Sequence, residues 1–222
     1  MTETIDDKSA HCVSFILEQL QAHQQKKYDT VPPPFFLGVS GVQGVGKTTL
    51  VSTVATILRS PPHRLPTVAL SIDDLYLTHA AQTLLASSNP SNALIQHRGE
   101  PGTHDITLGL SFFSALKAHQ HTKIPAYDKS AFNGQGDRTN ESTWEEVNVP
   151  GSVARVQVVI LEGWCVGFRA LGHKELRRKW EDARESKQGT LWKHQLEDLE
   201  FVNDKLREYD TLTDSLDALI HM

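Results

Sequence analysis

An octapeptide, Gly41-Val42-Gln43-Gly44-Val45-Gly46-Lys47-Thr48, stands between a short apolar run, Phe35–Val39, and an amphipathic run, Lys47–Leu58. Its G-x-x-x-x-G-K-T spacing, with a strand entering and a helix leaving, narrows the possible folds more than anything else in the chain. Glycines let a backbone turn its N–H groups inward around an anion. The helix that follows aims the positive end of its dipole at the same point. Lys47 is placed to reach the terminal phosphates of a nucleotide. The Thr48 hydroxyl is placed to ligate Mg²⁺, a cation that prefers oxygen. Residues 41–49 are thus the candidate nucleotide-binding segment, with Thr49 in the first turn of the helix, and ATP and Mg²⁺ are the candidate cofactors.

The rest of the chain supplies the expected setting. Val13, Ile16, Leu17 and Leu20 recur at helical spacing, which predicts a helix over Cys12–Gln24, closed by the prolines that follow Val31. Thr67–Ile72 reads as a second buried strand, and the β-branched run Arg155–Leu161 as a central parallel one. Helices are predicted over Ala80–Ser87, Ile106–His119, Glu175–Glu185 and Leu191–Tyr209, and a last strand begins at Leu216. Asn89–Asp105 and Lys123–Thr139 read as loops. Strands alternating with helices imply an α/β fold, a three-layer α/β/α sandwich on a mainly parallel sheet. A helical segment, 1–34, would precede the nucleotide-binding domain, 35–222.

Composition excludes several classes. The 222 residues carry a formal net charge of -5, which argues against a nucleic-acid binder acting through bulk charge. Cys12 and Cys165 are the two cysteines, without metal or disulfide spacing, which fits a reducing, cytoplasmic setting, a nuclear pool also being compatible. The acidic start, Met1 to Ala10, is unlike a signal or transit peptide, and no run suits a membrane span. The expected partner is a small molecule, with no nucleic acid and no membrane. Oligomeric state is not legible.

Acids at strand ends point to chemistry. Asp73 and Asp74 follow the second strand, at the carboxyl end where open α/β sheets bind ligands. Either a carboxylate there orients an attacking hydroxyl and takes its proton, or both acids cap the next turn. Glu162 ends the run Val158–Leu161 and would hold Mg²⁺ or its bound water. No Asn-Lys-x-Asp guanine-reading motif is present.

The series GVQGVGKTT, SIDDLY, RGEPGTHD, PAYDKSAFNGQGDR and VVILEGW, in that order, resembles the D-glycerate 3-kinase family of plants and its fungal kinase relatives, which is itself similar to uridine kinase, phosphoribulokinase and pantothenate kinase. The likeness covers the chain from Phe35 to His221. It implies a P-loop kinase fold and transfer of the ATP γ-phosphate to a small alcohol, with D-glycerate the leading candidate. It also implies that Asp73 takes the base position, which with Lys47 of the loop and Glu162 of the strand end makes the candidate catalytic set. Asp74, Tyr76, Arg98, His104, Asp105, Tyr127, Lys129 and Arg138 would surround the acceptor. Leu75 stands where related motifs have Phe. Relatives are expected to continue beyond the strand begun at Leu216. Two other readings stay open: a nucleotide-binding protein without transfer activity, and an NTPase that hydrolyses nucleotide.

Overall fold

The computed structural model describes residues 8–28, 31–152 and 154–222. Of the acidic stretch Met1–Ala10, residues 1–7 lie outside the described residues. In chain order the elements are α1 (Lys8–Gln24), β1 (Phe35–Ser40), α2 (Lys47–Arg59), β2 (Thr67–Ser71), α3 (His79–Ser88), α4 (Ile106–Lys117), β3 (Thr122–Lys123), β4 (Tyr127–Asp128), α5 (Ala131–Gly134), β5 (Asp137–Arg138), β6 (Glu146–Val147), β7 (Val158–Gly163), α6 (His173–Ser186), α7 (Leu196–Arg207), α8 (Asp210–Thr213) and β8 (Ala218–His221).

The main sheet has four parallel strands in the order β2-β7-β1-β8. Side chains alternate between its faces, because successive residues of a strand point to opposite sides. Leu37, Val39, Val158 and Ile160 face α2 (Val51, Val54, Leu58) and α1 (Val13, Ile16, Leu20). Phe36, Val68, Leu70, Val159 and Leu161 face α4 (Phe112, Phe113, Leu116) and Leu212 of α8. Two cores, one on each side of one sheet, make the three-layer α/β/α architecture that the strand–helix alternation predicts. Each such aliphatic or aromatic side chain contributes about 1.5–3 kcal/mol on burial.

Strand register positions the site. The parallel register pairs Val39 with Glu162 and Ser40 with Gly163, and on the other side Ser71 with Glu162. The segments leaving β1, β2 and β7 therefore emerge level with one another at the carboxyl edge.

Several boundaries differ from expectation. α1 begins a turn earlier than Cys12, since buried Ser9 extends the Val13–Ile16–Leu20 stripe by four residues. β2 ends at Ser71, and Ile72–Leu75 is a 3₁₀ turn. The helix expected over Leu191–Tyr209 is broken: Leu191–Lys193 is one 3₁₀ turn, and His194 and Gln195 are extended before α7. The Trp180 indole N–H holds that break by donating to the His194 carbonyl, 2.9 Å. The loop Lys123–Thr139 contains an antiparallel ribbon, Tyr127 facing Arg138 and Asp128 facing Asp137. β3 and β6 form a second two-stranded pair. Among the described residues no helix is long and apolar enough to cross a membrane.

Candidate active site

The loop between β1 and α2 is built for an anion. Gly44 and Gly46 have φ of +79° and +90°, a region that costs other residues about 1–2 kcal/mol. A Cβ at either would meet nothing within 4 Å, so the positive φ and not crowding is what calls for glycine there. α2 starts at Lys47 with no side-chain cap on its first turn. The Lys47 ammonium donates to the carbonyls of Gly41, 2.7 Å, and Val42, 2.8 Å, which lays it along the loop. Thr48 Oγ1 donates to Glu162 Oε1 across 3.1 Å. Glu162 is 6% exposed at the end of the central strand β7. A hydroxyl and a carboxylate side by side form the hard-oxygen donor set that Mg²⁺ takes. The loop, lysine and donor pair together fit a magnesium-bound polyphosphate. Thr49 is exposed in the first turn of α2, where its carbonyl accepts from Thr53 Oγ1 at 2.9 Å.

Beyond the loop lies a cleft of about 740 Å³ lined by Gln43, Asp73, Tyr76, His79, Arg98, Lys129 and Gln135 among others. The two acids after β2 part company here. Asp74 turns into its own 3₁₀ turn, where its Oδ2 accepts from the Ser71 N–H at 3.1 Å in a reciprocal capping box. Burial pushes the Asp74 carboxyl up, against the lowering effect of that N–H. Asp73 instead faces the cleft, where its Oδ2 accepts from Lys129 Nζ at 2.6 Å.

Tyr76 of the cleft wall belongs to a connected aromatic cluster. Tyr76 stacks on His104, 4.4 Å between centroids, and meets Tyr127 edge-on at 5.4 Å. Burial first, then the Asp73 charge, push the Tyr76 phenol well above its ordinary value. Burial likewise raises the Tyr127 phenol, with the Arg98 charge acting the other way. The Arg98 guanidinium lies over both rings and donates to the carbonyls of Gly134, 2.7 Å, of Gln135, and of Lys129, 3.4 Å. At Gly136, φ is +83° and a Cβ would come within 2.5 Å of Tyr127 Cε1, so only glycine lets this loop lie against that ring.

Of the residues expected around the acceptor, Tyr76, Arg98 and Lys129 line the cleft, and Asp74, His104, Asp105, Tyr127 and Arg138 do not. Asp105 caps α4, accepting from the Leu108 N–H at 2.9 Å, and its other oxygen accepts from Arg138 Nη2 at 2.9 Å. Arg138 also donates to the Tyr76 carbonyl, 3.2 Å. His104 is 5% exposed and shares a hydrogen bond of 2.6 Å with Tyr209 Oη. Burial lowers its imidazole to about 4, with the Asp73 charge opposing.

Sequence reasoning missed Tyr209 and the polar face of α3. His79, Gln82, Thr83 and Ala86 line the cleft at i, i+3, i+4 and i+7. That spacing was a readable signal. Tyr209, 105 residues from His104, gave none.

No protein-family model matches the chain. An uncharacterized kinase of Schizosaccharomyces pombe is 38% identical over 212 residues, which cover 95% of this chain and 72% of that protein. The chloroplastic D-glycerate 3-kinase of Arabidopsis thaliana is 39% identical over 159 residues, 69% of this chain and 33% of that protein. The solved structure of a D-glycerate 3-kinase from Cryptococcus neoformans superposes with a TM-score of 0.87 at 34% identity, covering 96% of this chain and 72% of that one. Likeness at more than 30% identity over most of this chain and 72% of two of these relatives shows that the chain belongs to the D-glycerate 3-kinase family of small-molecule kinases.

Proposed function

We propose that the chain transfers the γ-phosphoryl group of Mg·ATP to a hydroxyl of a small acceptor, D-glycerate, in the cytoplasm. One observation carries this reading: Gln43 of the phosphate loop and Asp73 line the same cleft, so donor and acceptor can meet there. Similarity to proteins named D-glycerate 3-kinase supports the choice of acceptor.

In this scheme the loop amides and Lys47 bind the β- and γ-phosphates. Thr48 and Glu162 would hold the magnesium or one of its waters. Bound Mg²⁺ supplies charge neutralisation at the transferring phosphate. The acceptor hydroxyl oxygen bonds to the γ-phosphorus as the bond to the bridging oxygen breaks. ADP leaves with that electron pair, and the hydroxyl proton passes to the Asp73 carboxylate. The Tyr76 ring, held by Arg98 and packed against Tyr127, encloses the acceptor. Catalysis by this site is positioning and charge placement.

The test is ADP release from Mg·ATP with D-glycerate, uridine, pantothenate or ribulose 5-phosphate as acceptor, with Lys47→Ala as the blank. D-Glycerate-dependent release that disappears in the blank is the expected result. Release that ignores the acceptor would make the chain a hydrolase.

A further inference from the structure

Arg98 and Lys129 line the cleft beside Asp73, and they are not equivalent. The Arg98 guanidinium is committed to the carbonyls of Lys129, Gly134 and Gln135, and it holds the tip of the β4–β5 ribbon. Arg138, the other cation expected near the acceptor, is bound to Asp105 and to the Tyr76 carbonyl. Lys129 differs from both. Its side chain is 57% exposed, and its ammonium is paired with Asp73. An ammonium on a flexible four-carbon stem can swing from one anion to another without moving its backbone.

That backbone is fixed. The Asp128 carboxylate accepts from the Ser130 N–H, 2.8 Å, and from its hydroxyl, 2.6 Å, which closes a tight turn around Lys129. Arg98 holds the Lys129 carbonyl. On the far side of the tip, Phe132 lies flat on His79, 3.8 Å between centroids at 4°. His79 in turn bonds Gln135, 2.8 Å. The stem of Lys129 is therefore the mobile part of an otherwise anchored loop, and exposed ion pairs such as Lys129–Asp73 hold weakly enough to exchange.

We infer that Lys129 is a charge-operated selector for acceptors bearing a carboxylate: it occupies Asp73 until an acceptor carboxylate takes its ammonium, and the exchange frees Asp73 to receive the proton of the acceptor hydroxyl. This rests on the reading of the cleft as a kinase acceptor site for a hydroxy acid and deepens it by naming the residue that reads the acceptor carboxylate. An uncharged polyol does not compete for the ammonium, so Asp73 stays paired and transfer is slow. Selectivity then arises from which anion holds Lys129, not from the shape of the cleft alone. His79 and Phe132 act as positioning residues that keep the tip in reach.

The experiment compares D-glycerate with glycerol, which lacks the carboxylate, in the full chain and in Lys129→Met and Lys129→Arg. For Lys129→Met, kcat/KM with D-glycerate should fall by roughly 10- to 100-fold, the range expected on losing a charge-assisted contact. With glycerol it should rise, because Asp73 is no longer occupied, and the preference for the acid collapses. Lys129→Arg, which keeps the charge, should restore part of that preference. Thermal unfolding of each variant separates these effects from loss of fold. Equal losses with both acceptors in a folded Lys129→Met would overturn the selector while leaving the kinase reading intact. A wild-type chain that phosphorylates no hydroxy acid would overturn both.

Discussion

The Thr48 hydroxyl donates to the Glu162 carboxylate across 3.1 Å, joining the first turn of α2 to the end of β7 at the foot of the phosphate loop. The contact arises from the sheet itself. β1 and β7 pair in register from Phe35 with Val158 to Ser40 with Gly163, so the residue seven past Gly41 comes level with the acid that ends β7. In the proposed reaction this pair receives the metal.

Glu162→Gln keeps the shape of the contact and removes its charge. Transfer is expected to fall about 10- to 100-fold at fixed magnesium, as for other groups that orient a metal. The magnesium concentration for half-maximal rate should rise, while nucleotide affinity measured without metal stays near that of the parent. A magnesium titration of initial rates checks this. An unchanged titration curve would remove Glu162 from the metal site.

Asp105 holds the scaffold together, by its geometry, through a helix cap and an ion pair with Arg138. Asp105→Ala should therefore cost about 1–3 kcal/mol of stability, from the lost cap and from a guanidinium left without its carboxylate. Asp105→Asn, which still caps, should cost less. Urea denaturation measures both, and a double-mutant cycle with Arg138→Gln should show coupling between the two sites. Full stability in Asp105→Ala, with a raised acceptor KM, would return Asp105 to the substrate side.

His104 links the cleft wall to stability through pH. Its folded imidazole titrates near 4, below the ordinary 6.5, because it is buried. The unfolded chain therefore binds the proton more readily. The stabilising contribution is complete above 6.5 and is lost as pH falls from there towards 4, on the order of 3 kcal/mol in all. Unfolding curves at pH 7 and pH 5 should diverge less in His104→Phe than in the parent. Identical pH dependence in the two proteins would contradict the assignment.

The phosphate loop and the strands around it were readable because the information is local. Eight residues carry the glycines, the lysine and the threonine, and two apolar runs flank or face them. Asp73 and Asp74 were not separable by type. Ser71 decides between them by drawing Asp74 into a capping box, leaving Asp73 to the cleft. The ribbon at Tyr127–Arg138 escaped notice because two-residue strands have no period to detect. Its order comes from contacts distant in sequence: Arg98 on the tip carbonyls and His79 on Phe132. The inward turn of His104 likewise depends on Tyr209 at the far end of the chain.

In the proposed reaction phosphate moves to an acceptor hydroxyl and Asp73 takes the proton. Phosphorus NMR of the chain incubated with Mg·ATP and D-glycerate tests it most directly, run beside Asp73→Asn. A phosphomonoester resonance that grows with ADP is expected in the parent and nearly none in Asp73→Asn, although that variant still binds ATP. Inorganic phosphate as the product, or an undiminished phosphomonoester signal from Asp73→Asn, would contradict it.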